Sequence, residues 1–436
     1  MILSSEVFSL IFDIITNMNK NILLIGSIII ILSIGIIVAA AFFIFPYQPN
    51  DPPKADDTDS TQQGVQEVIN ANNEFAFDLY HQLNESENEN LFYSPYSIFA
   101  AISMTYEGAE GQTADEIKSV FHFPESNILR PNFAKIYNSI NKAIKDYELK
   151  TGNALWVQQD YPFLEDYLTK IEKYYGGKAA NIDFIKETEA SRLTINSFIE
   201  EQTNKKIKNL IPDGFIDVTT RLVLTNAIYF KGDWQWQFDK SDTFEGDFRI
   251  TDNNIVKTEM MNMEPDKTEF NYVDTEELQI LELPYKGDKI SMLILLPKDN
   301  LDMIESTLSA EKLNEYKSQM KETKLDSIFL PKFEFDTKYF MKDTLAAMGM
   351  PTAFSRNADF SGMTGMQDLF IDFVIHQAYI KVDEKGTEAA AATAVGMKLP
   401  AVMPDNIFNA DHPFIFVIQE KENGSILFLG KVVDPT

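Results

Sequence analysis

Val382-Asp383-Glu384-Lys385-Gly386-Thr387-Glu388-Ala389-Ala390-Ala391-Ala392-Thr393-Ala394-Val395-Gly396 is the stretch on which the reading of this chain turns. Four consecutive alanines by themselves favour a helix, because alanine has the highest intrinsic helix propensity. The surrounding residues instead follow a period of two. From Thr387 the odd positions carry Thr387, Ala389, Ala391, Thr393, Val395, Met397 and Leu399, and the even ones Glu388, Ala390, Ala392, Ala394, Gly396 and Lys398. Both charges fall on one parity and the larger apolar groups on the other, the alternation of a strand with one face to bury. Gly386 frees the backbone at the start of the run. Leu399-Pro400-Ala401-Val402-Met403-Pro404-Asp405-Asn406 closes it with the composition of an exposed loop. The stretch suits either a loop or a strand.

Four further segments stand in a telling order: Asn90-Leu91-Phe92-Tyr93-Ser94-Pro95-Tyr96-Ser97-Ile98, Leu224-Thr225-Asn226-Ala227-Ile228-Tyr229-Phe230-Lys231-Gly232-Asp233-Trp234, Asp411-His412-Pro413-Phe414-Ile415-Phe416, and Phe428-Leu429-Gly430-Lys431-Val432-Val433-Asp434-Pro435-Thr436. With the alanine run, they resemble the serpin family in register from about residue 64 to the last residue. The resemblance implies an α+β fold of three β-sheets and about nine helices, with an exposed reactive-centre loop over about residues 384–408. It also implies a suicide substrate. A serine protease cuts the loop and is held as its acyl-enzyme, while the cut loop enters the central sheet as a new strand; serpin loop insertion is a standard example of strand addition and of strain release.

The hinge by this resemblance is Glu384, Gly386, Thr387, Glu388, Ala389, Ala390, Ala391 and Ala392. Small residues there can be buried where bulk or charge would resist. The region that opens is marked by Ser94, Ser97, Asn226 and His376, a polar cluster under the parting strands, by Trp234 at the top of the sheet, and by a charge pair of Glu384 with Lys332. Counting forward from Gly386 and back from Phe408 places the cleaved bond at Pro400-Ala401. Proline suits few serine-protease pockets, since its ring fixes φ and removes the amide N–H. Lys398-Leu399, which suits a trypsin-like enzyme but shortens the inserted strand by two residues, and Ala401-Val402, which suits an elastase-like or subtilisin-like one, stay as alternatives, while Leu399-Pro400 is disfavoured by its proline. A non-inhibitory carrier or chaperone of the same fold is the rival function, and the small hinge residues speak for inhibition.

Composition narrows the partners. A chain of 436 residues with 44% hydrophobic residues can bury a sizeable core. A formal net charge of −28 argues against nucleic acid, anionic membrane surfaces and heparin-like polyanions. There is no cysteine, so neither a thiol nucleophile nor a thiolate metal site can form. His81, His122, His376 and His412 have no zinc-ligand spacing, and no nucleophile elbow or phosphate-binding loop occurs. With the serpin resemblance, the expectation is of a protease inhibitor and not an enzyme, with no cofactor and no metal, and of a monomer.

Residues 22–45 carry no charge and are long enough to cross a hydrocarbon core of about 30 Å. Lys20 before them and Asp51, Asp56, Asp57 and Asp59 after them place residues 1–21 in the cytoplasm and the body outside. The segment reads as a retained anchor, with a cleaved signal near Val38-Ala39-Ala40-Ala41 as the alternative. Residues 46–63, acidic and proline-bearing, read as an extended, solvated linker to a domain over residues 64–436. Within that domain, apolar spacing predicts helices over 64–83, from 97, over 163–175 and over 187–210. Short apolar runs predict strands over 222–230, 278–283, 290–296, 328–335, 415–418 and 426–432.

Overall fold

The computed structural model describes residues 54–84, 89–141, 146–265, 268–387 and 406–436. The chain divides into Met1–Pro52 and Pro53–Thr436, and all the described residues belong to the second unit. The expected membrane segment, the cytoplasmic end, the scissile-bond candidates Lys398 to Val402, and the hinge residues Glu388 to Ala392 lie outside the described residues.

In chain order the unit begins with α1 (Gln62–Leu83), β1 (Leu91–Tyr93), α2 (Pro95–Tyr106), α3 (Gly111–Val120), α4 (Ser126–Ile140), β2 (Tyr147–Thr151), β3 (Ala154–Gln158), α5 (Glu165–Tyr175), β4 (Lys178–Ile182) and α6 (Thr188–Gln202). It continues through β5 (Leu222–Asp233), β6 (Phe244–Thr251), β7 (Asn254–Met263), β8 (Glu269–Asp274), β9 (Leu278–Pro284), β10 (Ile290–Pro297), α7 (Leu301–Glu305), α8 (Ala310–Gln319), β11 (Lys321–Lys324) and β12 (Ser327–Pro331). It closes with β13 (Phe333–Phe340), α9 (Met341–Met348), α10 (Ser361–Thr364), β14 (Phe373–Asp383), β15 (Gly386–Thr387), β16 (Ile407–Asn409), β17 (Phe414–Glu420) and β18 (Ile426–Val432). The fold is the expected α+β arrangement of three sheets, with ten α-helices among the described residues.

One sheet runs β1-β18-β17-β10-β9-β8-β11 and a second β16-β12-β7-β6. The third runs β13-β14-β15-β5-β3-β4, with β2 also on β5. Strands β10 and β17 are buried at every position, which is why their sequences are apolar on both parities: both faces are covered. The third sheet separates two cores. Even-numbered residues of β5, such as Leu222, Leu224 and Ile228, face the main core with α1 and α2. Val223 and Ala227, with Phe373 and Ile375 of β14, face a smaller core under α6 that includes Ile195 and Ile199. Helix α2 starts where Ser94 caps it and Pro95 occupies the first turn, a position that needs no amide N–H.

Three expectations change. The helix expected over 187–210 ends at Gln202, because Asn204 and Lys205 take positive φ of 51° and 62° and turn the chain. The strand expected over 328–335 is two strands in different sheets, parted at Lys332, whose N–H donates to the Glu259 carbonyl at 2.8 Å. The linker, expected to be solvated, packs over its described part. Ala55 is buried, its N–H and carbonyl held by the Asn138 amide at 2.9 and 2.8 Å. Asp56 pairs with Lys173 at 3.2 Å, Asp57 with Lys135 at 3.3 Å, and the Thr61 N–H donates to Asn132 at 2.8 Å. Two asparagines on α4 supply partners for a backbone that composition alone assigns to water.

Candidate functional site: a strand seam split at one end

Strands β5 and β14 pair in parallel from Phe373 opposite Val223 to Ala378 opposite Ile228. Beyond that they part, and β15 lies between them: Thr387 opposite Gly232 on one side and Val382 on the other, Gly386 opposite Asp233 and Asp383. Across Thr387, Val382 and Gly232 are 150 residue numbers apart (382 − 232), as are Phe373 and Val223 where the strands touch (373 − 223). The two strands therefore hold the same relative register whether they touch or have a strand between them. A strand lengthening from β15 needs no slippage of either neighbour, and slippage by one residue would turn every side chain to the wrong face.

The split end is built around Trp234. Its N–H donates to the Lys385 carbonyl at 2.7 Å and its indole N–H to the Asp383 carbonyl at 3.0 Å. The ring stacks on Tyr285 with centroids 4.6 Å apart. The Tyr285 hydroxyl meets the Thr387 hydroxyl at 2.6 Å, and Thr387 is only 2% exposed. Gly386 is the residue the seam requires. A Cβ there would lie 2.0 Å from the Gly232 carbonyl oxygen, so only glycine lets the two backbones approach.

Glu384 is buried just before this point. Its carboxylate accepts from the Thr243 hydroxyl at 2.9 Å and lies 3.5 Å from Lys332, which also pairs with Glu259 at 3.0 Å. Burial works against its ionisation. Hydrogen bonds from its own N–H and from Thr243, with the Lys332 ammonium, nevertheless hold it below the usual carboxylate range. The neighbouring Asp383 is pushed up, by burial first and then by the Glu384 charge.

The closed end rests on a buried polar cluster. The Ser94 N–H donates to His376 Nε2 at 3.0 Å, so Nδ1 carries the proton and donates to Asn226 Oδ1. The Asn226 amide donates to the Ser97 hydroxyl at 2.6 Å and to Asn153 Oδ1 at 2.7 Å; the Ser97 hydroxyl in turn donates to Asn153 at 2.9 Å. The Ser94 hydroxyl caps α2 and donates to the Leu427 carbonyl at 2.6 Å. Burial pushes the His376 imidazole down to about 3, so it is neutral and its two nitrogens serve one donor and one acceptor. His376 and Asn226 face each other across the seam itself. The cluster thus spans the two strands that would have to part.

All six residues expected around the opening region therefore converge on this seam: Ser94, Ser97, Asn226 and His376 at its closed end, Trp234 and Lys332 at its split end. Of the hinge, Glu384, Gly386 and Thr387 lie in it. Asn153, Thr243 and Tyr285 belong to the same site and went unnoticed in the sequence, because they come from separate elements and carry no local pattern. Their contacts exist only in three dimensions.

Comparisons with known proteins agree with this geometry. The family described as "Serpin (serine protease inhibitor)" matches residues 70–435. A serpin-like protein of Methanosarcina mazei is 43% identical over 378 residues, covering 85% of this chain and 88% of that protein. The horse leukocyte elastase inhibitor is 39% identical over 386 residues, covering 85% of this chain and all of that protein. The crystal structure of uncleaved ovalbumin superposes with a TM-score of 0.78 at 32% identity, covering 85% of this chain and 100% of that one.

Proposed function

This chain belongs to the serpin family, and we propose that it is a suicide inhibitor of extracytoplasmic serine proteases. The target's serine Oγ attacks the carbonyl of Pro400. The bond to Ala401 breaks, and its nitrogen leaves as an amine on the C-terminal segment. What remains is an ester between protease and loop, normally hydrolysed by water. Here the freed loop inserts between β5 and β14 and carries the ester away before water completes the cycle.

The observation that carries this reading is the register of the seam. Gly386 and Thr387 are already seated between the two strands, and those strands keep one offset along their length. Continued residue by residue, that pairing would bring Thr393 opposite His376 and Asn226, and Gly396 opposite Phe373 and Val223, where the paired strands begin. The polar pair that parts meets a hydroxyl able to donate and accept. From Gly386 to Pro400 the inserted segment would span on the order of 45 Å, at about 3.3 Å per residue. On this pairing the odd-numbered residues from Thr387 onward would turn to the main core and the even-numbered ones, Ala390, Ala392, Ala394 and Gly396 with the charges Glu388 and Lys398 at either end, to the α6 side, matching the alternation of the sequence.

We further propose that residues 22–45 hold the inhibitor at a membrane with the serpin body outside. The test is to mix the chain with trypsin-like, elastase-like and subtilisin-like proteases and run denaturing gels. A band at the summed masses, with Ala401 as the first residue of the released peptide, supports the reading. Cleavage by every protease of the panel with no such band, and no gain in thermal stability after cleavage, refutes it.

A further inference from the structure

The contact between β5 and β14 ends, on the side away from the hinge, at Val223 and Phe373. One residue further out, Asp372 closes it. Its N–H donates to the Leu222 carbonyl at 3.1 Å. Its carboxylate oxygen Oδ2 alone accepts two backbone N–H groups, from Arg221 at 2.6 Å and from Leu222 at 3.1 Å. Leu222 is fully buried, and the Arg221 carbonyl is already taken by the Gln158 N–H of β3 at 2.9 Å. The Arg221 guanidinium turns away to the Val218 and Thr220 carbonyls, at 3.0 and 2.9 Å. Burial pushes the Asp372 carboxyl up, against the two N–H bonds and the charges of Lys342 on α9 and of Arg221. What joins the two strands here is therefore an acceptor oxygen and not a charge, and without it two backbone donors lose their partner.

We infer that Asp372 is a positioning residue that clips the far end of the seam, so that an entering strand completes its course only when this clip gives way. The inference rests on the inhibitory reading above. Strands β5 and β14 are already apart beside Thr387 and stay paired from Ile228 and Ala378 to Val223 and Phe373. Parting them over that length carries Asp372 away from Arg221 and Leu222, because each strand bears one half of the clip. The His376–Asn226 pair stands nearer the hinge and is met first, the clip last. An insertion that stalls before the clip leaves the ester time to hydrolyse. A contact that touches neither loop nor protease thus bears on whether the trap closes.

The chain has no cysteine, so one introduced thiol carries an environment-sensitive dye at a chosen place. The full-length chain is labelled at Lys385→Cys, beside the split end, or at Val218→Cys, ahead of β5, and both signals are followed after a protease of the panel cuts the loop. Asp372→Ala is expected to shorten the far-end half-time roughly ten-fold, equivalent to about 1.36 kcal/mol, and to leave the split-end half-time unchanged. Asp372→Asn, which keeps an acceptor oxygen, is expected to restore the parental half-time. Asn138→Ala, which weakens the fold away from the seam, is expected to leave the far end no faster than the parent. Amide exchange on the parental chain gives a second reading: Arg221 and Leu222 stay protected until the far-end dye responds. No acceleration at the far end of Asp372→Ala, or equal acceleration at both ends, overturns the inference and leaves the inhibitory reading standing. So does Asp372→Asn as fast as Asp372→Ala, or exchange at Arg221 and Leu222 ahead of the dye. A parental chain that is cut with neither a dye response nor a trapped protease removes both.

Discussion

Replacing Thr387 by arginine tests the mechanism at its first step. Thr387 is 2% exposed, wedged between Gly232 and Val382, with its hydroxyl on the buried Tyr285 hydroxyl. A guanidinium cannot occupy that space without losing its water, and burying an unpaired charge costs several kcal/mol even after relaxation. Taking about 3 kcal/mol on the seating of the hinge, and tenfold in rate for each 1.36 kcal/mol, strand insertion slows by about 100-fold. On the proposed mechanism cleavage of the loop is expected to be untouched, so hydrolysis of the ester should outrun insertion. The assay is titration of a susceptible protease with the inhibitor, read as residual activity and as the gel-shifted complex. The parental chain is expected to trap the enzyme close to mole for mole, whereas Thr387→Arg is consumed as a substrate. Thr387→Ser, which keeps the bond to Tyr285, is expected to behave as the parent. Equimolar, persistent trapping by Thr387→Arg would refute the insertion argument.

Gly386→Ala places a methyl group against the Gly232 carbonyl, so the hinge is expected to leave the seam, with a changed Trp234 emission and a lower thermal midpoint. His376 is held neutral by burial at about 3, while in the unfolded chain it titrates near 6.5. The unfolded state thus binds the extra proton, and this residue's contribution to stability is full above about pH 6.5 and falls on acidification by up to about 1.4 kcal/mol per pH unit. Thermal midpoints measured from pH 7 to 4 should therefore decline more steeply for the parent than for His376→Gln. Asn138→Ala removes both hydrogen bonds that hold Ala55, at a cost of about 1–3 kcal/mol. Limited proteolysis is expected to cut between Lys54 and Thr61 in this variant and to spare that segment in the parent.

Gly386 and the apolar runs of β9, β10, β17 and β18 were legible because strand periodicity and burial are local, repeated signals. Segments that carry a signature fell into place for the same reason, including Ser94 and Ser97 at the head of α2. The end of α6 was not legible, since left-handed residues at Asn204 and Lys205 interrupt a pattern that still reads as helical. Nor was the break at Lys332, where chain direction and sheet membership change without a change in apolar character.

The sequence by itself determined that this is an α+β serpin body, acidic and without cysteine, with a run of small residues after Gly386. Those are properties of composition, order and period, each readable from neighbours along the chain. Only the tertiary structure decided that Gly386 and Thr387 already sit between β5 and β14, that both strands keep one register for whatever follows, and that Asn153, Thr243 and Tyr285 complete the site. It also decided that the segment Lys54–Thr61 belongs to the folded body. The reason is common to all four. Each depends on hydrogen bonds between residues far apart in the chain, whose geometry follows from how the sheets and helices pack and from no pattern within any one segment.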